Sequence, residues 1–380
     1  MSAVPPSRTS SKKVVFNLVI LLFLAGFAEL GTYLIFKRMA WRFTFNDPKV
    51  HVKTQTEIDS VRPLFDPDLG FDRLPNGRTL VHDYGTSRIT TYGDSYTEGD
   101  EVQDHETWQT YLSSNLQANV LNYGLNGYGT DQAYLRFKKY HPKLKTEVAV
   151  LCLITENINR CLNVYRPFYA ATSGAYLPKP RFLLKDGGNV LLPNPLHSAA
   201  ELDRLKDPSF FEEMGKHDRW YNIDGKPEFA FPYLRLWGSP YIWTVLKSQR
   251  EGAELKQVNL RPWEVDTWKD SEAQAIMFNI FSDFVADAKA MGVTPVIAVI
   301  PMKKEVVAAA EGGVVEDIAI ISKECEEKGY AFFNGLNAYL AAVKAGAPPE
   351  SLYVLHHPSA EGNQAFARDF AAFLQPLLAP

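Results

Sequence analysis

Arg88-Ile89-Thr90-Thr91-Tyr92-Gly93-Asp94-Ser95 decides the fold class. The β-branched and aromatic residues up to Tyr92 spell a strand, and Gly93 permits a sharp turn directly after it. Helical spacing follows over 107–116, a short strand over 119–123 stops at Gly124, and 130–140 reads as a helix with a lysine-rich end. The continuous apolar run 148–154 suits a strand buried on both faces. The rhythm resumes with a long helix near 271–291, a strand over 295–300 ended by Pro301, a helix near 315–328, a strand over 331–333 and a last helix over 360–374. Such alternation implies an α/β three-layer sandwich, a parallel sheet covered by helices. Ligands in these sheets bind beyond the carboxyl ends of the strands.

Two regions stand outside the rhythm. Residues 163–265 are rich in aromatics, proline and glycine, include a hairpin over 181–192 turning at Asp186-Gly187-Gly188, and read as an insertion over or beside the strand ends. Residues 37–85 read as a linker and lead-in with turns at Asp66-Pro67-Asp68 and Pro75-Asn76-Gly77. Ahead of them, 14–36 hold one charged residue, Glu29, and span roughly 34 Å as a helix, enough for a hydrocarbon core of about 30 Å. The run is longer than a signal peptide's apolar region and closes on Lys37 and Arg38 without a small-residue cleavage site. The expected organisation is a cytoplasmic tail 1–13, a transmembrane anchor 14–36, the lead-in 37–85, and a domain 86–380. Arg8, Lys12 and Lys13 before the span nearly balance Lys37, Arg38 and Arg42 after it. The short amino tail and large following domain favour a single-pass protein of the inner (cytoplasmic) membrane with its domain extracytoplasmic, or periplasmic. Glu29 lies about 10 Å from Phe36 along the helix; it either sits near the interface or meets a polar group on a neighbouring membrane protein.

Composition excludes several classes. Lys+Arg of 40 against Asp+Glu of 44 gives a net charge of -4 and no electrostatic reason for a nucleic-acid partner. With 46% hydrophobic residues the chain is no disordered polymer. Cys152, Cys161 and Cys325 lack the paired spacing of a zinc site; Cys152 lies in an apolar strand, and the other two are either a disulfide or free thiols. Neither a metal nor a cofactor is expected. Met302-Lys303-Lys304, after a strand end, reads as a solvated loop.

Chemistry-bearing residues gather at the predicted strand ends. Ser95 follows the first strand. The second strand ends in Asn122-Tyr123-Gly124-Leu125-Asn126-Gly127-Tyr128-Gly129, whose glycines can bring N–H groups close to a substrate. The third runs into Thr155-Glu156-Asn157, and Asn157 offers a side-chain donor. Leu355-His356-His357-Pro358 precedes the last helix. In these four blocks, in this order, the sequence resembles the SGNH or GDSL hydrolases over roughly 86–161 and 290–378. The resemblance implies a flavodoxin-like α/β fold with Ser95 as nucleophile and His357 as base, His356 being the neighbouring register. It implies an oxyanion hole from Ser95, Gly127 (Gly124 in a competing alignment) and Asn157. Gly93 and Asp94 would support the turn, Asp94 by local hydrogen bonding.

One departure stands out. The family's aspartate three residues before the histidine is here Val354. A backbone carbonyl orienting His357, an acid from elsewhere such as the insertion, and lost catalysis all remain open. The implied function is a membrane-anchored serine esterase or O-acyltransferase acting on O-acyl groups of a cell-envelope glycan, or on a small ester, through an acyl-Ser95 intermediate. An integral membrane acyltransferase is a candidate partner. The alternatives are a non-catalytic scaffold or binding subunit of an acylation complex, and a membrane-tethered lipase or thioesterase. Tyr165, Phe168, Tyr169, Tyr176, Trp220, Tyr221, Phe229, Phe231, Tyr233, Trp237, Tyr241 and Trp243 of the insertion either stack on sugar rings or form the insertion's own core.

Overall fold

A computed structural model describes residues 11–39, 48–74, 77–168, 170, 176–221, 227–240, 242–243, 246 and 267–378. Arg8, Arg42, Pro75, Asn76, Tyr169 and Tyr241 lie outside the described residues.

Strands β1 (Ser87–Gly93), β2 (Asn119–Gly124), β3 (Val148–Leu153), β4 (Thr294–Val299) and β5 (Phe332–Asn334) form one parallel sheet in the order β2-β1-β3-β4-β5. All six residues of β3 are buried, as its unbroken apolar run requires of a strand covered on both faces. The strand order reverses between β1 and β3, so the crevice beyond Gly93 and Leu153 is where a ligand site belongs.

Besides the short helices Gln55–Val61 and Pro208–Gly215, the helices are α1 (Ser11–Arg38), α2 (Ser95–Glu98), α3 (Trp108–Leu116), α4 (Thr130–Tyr140), α5 (Asn157–Cys161), α6 (Ser271–Ala290), α7 (Lys303–Ala310), α8 (Glu316–Glu327), α9 (Gly335–Lys344) and α10 (Ala360–Leu374) among the described residues. α3 and α10 pack together through Trp108 and Phe366, with ring centroids 5.1 Å apart. α4 and α6 do so through Phe137 and Phe284, 4.9 Å apart. Caps explain several starts. Thr107 accepts from the Thr110 N–H ahead of α3, and Asp270 from the Ala273 N–H ahead of α6.

The sequence-based element boundaries hold to within a residue or two. α9 was not foreseen, and Lys303-Lys304 opens α7 instead of a solvated loop: the Met302 N–H donates to Glu305 Oε2 at 2.7 Å and starts the helix. The hairpin pairs Arg181–Lys185 with Gly188–Leu192. Its turn residues Asp186 and Gly187 both have positive φ, the geometry that matches strand twist in a two-residue loop. The lead-in contributes to the body, since Ile58 and Val61 of helix Gln55–Val61 are buried in the main core. Cys152, Cys161 and Cys325 are all buried and unpaired thiols.

α1 is 28 residues long, about 42 Å. It extends beyond the expected 14–36 at both ends, because flanking polar residues continue the helical backbone. Its stretch Lys13–Arg38 is the one described helix long and apolar enough to cross a membrane. Its side chains from Lys13 to Ala28 are exposed all round.

Candidate active site

Asp94 ends β1 and caps α2, accepting from the Tyr96 N–H at 2.9 Å. That cap turns the chain so sharply that Ser95 stands at the carboxyl edge of the sheet. His357 arrives from the far end of the chain on a two-residue hairpin, in which Val354 pairs with His357 and Tyr353 with Pro358. Its Nε2 lies 2.9 Å from Ser95 Oγ. His356 is exposed in the turn, which settles the histidine register. Its carbonyl accepts from Tyr96 Oη at 2.6 Å, and the Tyr96 ring packs 5.0 Å from the His357 ring. Tyr96, the residue next to Ser95, thus fixes the hairpin that carries His357.

No carboxylate stands at Val354; the one that faces the His357 ring belongs to Glu101, six residues after Ser95 and outside the insertion. Glu101 Oε1 lies 3.3 Å from His357 Nδ1. That is an ion-pair separation rather than a closed hydrogen bond; Nδ1 is buried with no hydrogen-bond partner. Oε2 accepts the His356 and His357 N–H groups, each at 3.2 Å. Glu101 holds φ at 69°, in the left-handed region where a residue with a side chain is strained by about 1–3 kcal/mol. Arg78, from the lead-in, clamps this loop. It donates to the Glu98 and Gly99 carbonyls at 2.8 and 2.9 Å and to Asp104 Oδ1 at 2.8 Å. Sequence reasoning missed both residues. The acidic run Glu98, Asp100, Glu101 was the only signal, and spacing alone does not say which of them turns toward His357.

The glycine loop resolves by elimination. The N–H groups of Gly124, Leu125, Asn126, Tyr128 and Gly129 are engaged by Asn122 Oδ1, the Gly93 carbonyl, Glu98 Oε2, the Leu125 carbonyl and Gln132 Oε1. Among the described residues Gly127 keeps an uncommitted N–H, and its φ of 89° is one that glycine adopts freely. Gly124 plays another part: a side chain there would run into the Thr97–Glu98 backbone. Asn157 is fully buried at the start of α5. One N–H of its amide donates to Asp94 Oδ2 at 2.8 Å, and its Oδ1 is buried without a hydrogen-bond partner.

Under the site lies a buried polar layer. Burial pushes the Asp94 carboxyl up, while Arg160, with a nitrogen 3.9 Å away, and the Asn157 amide pull it back. Arg160 also pairs with Glu156 and donates to the Tyr128 carbonyl at 2.8 Å. Glu305, fully buried, accepts from Thr155 Oγ1, and burial pushes its carboxyl up to about 7 against that hydrogen bond and the Met302 N–H. A folded-state value above the unfolded one stabilises below the unfolded value, near 4.5, and this contribution is lost as pH rises through about 7. Wild type is therefore expected to lose more stability between pH 5 and 8 than Glu305→Gln, as read from urea midpoints; parallel profiles would remove Glu305 as the source.

Most of the insertion's described aromatics fall into two cores, while Phe231 and Trp243 are exposed. Tyr165, Phe168, Trp220 and Tyr221 belong to the main core, and the Trp220 indole donates to the Asn159 carbonyl at 2.8 Å. Phe229, Tyr233 and Trp237 pack against α1 instead. Trp220, buried at 2% exposure, therefore presents no open face to a sugar, while Trp237 is half-buried against α1. A cavity of about 640 Å³ lined by Tyr134, Phe182, Leu191 and Asp287, among others, touches neither Ser95 nor His357. Among the described residues no group of three or more His, Cys, Asp or Glu is placed to hold a metal ion.

No family model matches the chain, and no curated protein does. Among solved structures it is similar to a protein described as lipolytic, of the G-D-S-L family, from Desulfitobacterium hafniense, with 12% identity and a TM-score of 0.35, covering 76% of this chain and 100% of that one. It is similar to a member of the lipolytic G-D-S-L family from Veillonella parvula, at 10% identity and a TM-score of 0.36, covering 76% of this chain and 96% of the other. A catalytic mutant of an acetylxylan esterase from Geobacillus stearothermophilus has 11% identity and a TM-score of 0.36, covering 78% and 96%.

Proposed function

We propose that the chain is a serine acyl-ester hydrolase or O-acyltransferase of the SGNH type, anchored in a membrane by α1. The observation that carries this is the 2.9 Å approach of His357 Nε2 to Ser95 Oγ, with the Glu101 carboxylate behind the ring. Glu101 favours the proton on Nδ1, leaving Nε2 to accept the serine hydroxyl. Ser95 Oγ then bonds to the ester carbonyl carbon as its proton passes to Nε2. The oxyanion is met by the N–H groups of Ser95 and Gly127 and the second amide N–H of Asn157. Collapse breaks the acyl C–O bond, and Nε2 returns the proton to the departing alcohol. Water, or an acceptor hydroxyl deprotonated by the same nitrogen, releases the acyl group from Ser95.

The substrate class that suits an anchored, extracytoplasmic enzyme is an O-acyl group on a cell-envelope glycan. The close Ser95–His357 pair supports this chemistry over a non-catalytic scaffold, in which the two groups would have no reason to meet. The test is covalent. A fluorophosphonate incubated with the full-length protein should leave its adduct on the peptide containing Ser95, located by mass spectrometry. An adduct confined to another residue, or none, would overturn the assignment.

A further inference from the structure

Phe229 and the turn Tyr233–Gly238, with Ile242 and Leu246, come against α1. Phe36, Leu236 and Ile242 are buried in a small core separate from the main one, flanked by Met39, Phe229, Tyr233, Trp237 and Leu246. The contacts are specific. Glu29 Oε2 accepts the Tyr233 N–H at 2.6 Å and the Leu234 N–H at 3.3 Å, at the start of the 3₁₀ turn Tyr233–Gly238. The Trp237 indole donates to Thr32 Oγ1 at 3.0 Å. Tyr33 packs 5.0 Å from Tyr233, and Phe36 4.9 Å from Trp237. The carboxylate that stood alone in the apolar stretch is answered by this chain's own backbone.

The outer side of this foot is apolar. Phe231, Leu234 and Trp243 are 73%, 39% and 55% exposed, and Leu30, Leu34 and Ile35 of α1 are exposed as well. Lys37 and Arg38 close the helix just beyond. We infer that the foot is a lipid-binding surface: it lies in the membrane interface on the body's side, with Phe231, Leu234 and Trp243 against phospholipid. This rests on α1 crossing a bilayer, as proposed above. Lipid is the occupant because these apolar side chains are exposed at the level of α1, from Glu29 to Phe36, where the helix's own outward apolar side chains are exposed too. That level lies within about 10 Å of the cationic end, where tyrosine and tryptophan favour the boundary between headgroups and acyl chains. The foot would thereby set the height and tilt of the active site above the membrane.

The experiment uses the full-length chain, whose native cysteines are all buried, in vesicles of phosphatidylcholine and phosphatidylglycerol. Environment-sensitive fluorophores are placed through Phe231→Cys, Leu234→Cys, Leu22→Cys on the mid-span of α1, and Val314→Cys on the exposed body. The Phe231→Cys and Leu234→Cys labels should lose most of their emission to lipids carrying a nitroxide near the headgroup and little to iodide, with the reverse for Val314→Cys. If the Leu22→Cys label is quenched by deep nitroxide lipid while the two foot labels behave like Val314→Cys, the foot inference fails and the anchor stands. If the Leu22→Cys label also escapes lipid quenching, the anchor fails with it. Foot labels shielded from both lipid and iodide would mean a protein covers this face, which also overturns the inference.

Discussion

Ser95→Ala is expected to lower kcat for a short-chain aryl ester by about 10⁴–10⁶-fold, and His357→Ala by a comparable factor. The two side chains meet at 2.9 Å and act on one proton, so removing the second after the first should cost almost nothing more. The double variant is expected to match the single ones. Both residues are only partly load-sharing in the fold: Ser95 is a cap-side residue of a four-residue helix, and His357 closes a two-residue hairpin. Unchanged circular dichroism and denaturant midpoints should accompany the loss. A Ser95→Ala protein retaining activity within about tenfold of wild type would end the nucleophile assignment.

Much of this site was legible because strand ends are legible. The β-branched run into Gly93 and the buried run 148–154 fix where β1 and β3 stop, and a parallel sheet converts those stops into a shared edge. Ser95, Gly127, Asn157 and His357 sit on the segments that leave that edge, or on the hairpin that returns to it. Glu101 was hidden for a physical reason. Its carboxylate reaches His357 only because its backbone is left-handed and Arg78 holds the loop from outside the recognisable blocks. Neither condition leaves a periodic trace in sequence. Asn157 was seen only in outline, because its bond to Asp94 depends on how α2 and α5 face one another. The foot was hidden for the opposite reason: α1 is apolar all round, so no stripe marks the side that 227–246 covers. Phe229, Tyr233 and Trp237 read in sequence as an insertion core or a sugar platform, whereas their partner is α1.

Glu101→Gln is expected to lower kcat by about 10²–10⁴-fold, with little effect on folding. Glutamine is close to isosteric, and its carbonyl can still accept the His356 and His357 N–H groups that Oε2 accepts in the native protein. In that pose its amide N–H₂ faces His357 Nδ1, which favours the tautomer with the proton on Nε2, the nitrogen that must receive the serine proton. Flipping the amide restores an acceptor to the ring and turns donors toward two backbone N–H groups. A role confined to bracing the hairpin would be served by glutamine, so kcat within about tenfold of wild type would take the carboxylate out of the mechanism. The pairing of Val354 with His357 across the turn supplies the complementary arm. Val354→Asp in the Glu101→Gln background puts an acid three residues before His357, on the strand paired with it, and should recover at least about tenfold of the lost kcat. Recovery would show that His357 needs a carboxylate and is indifferent to which strand delivers it. A double variant no better than Glu101→Gln would instead tie the requirement to the Glu101 loop itself, and to the Arg78 clamp that holds it.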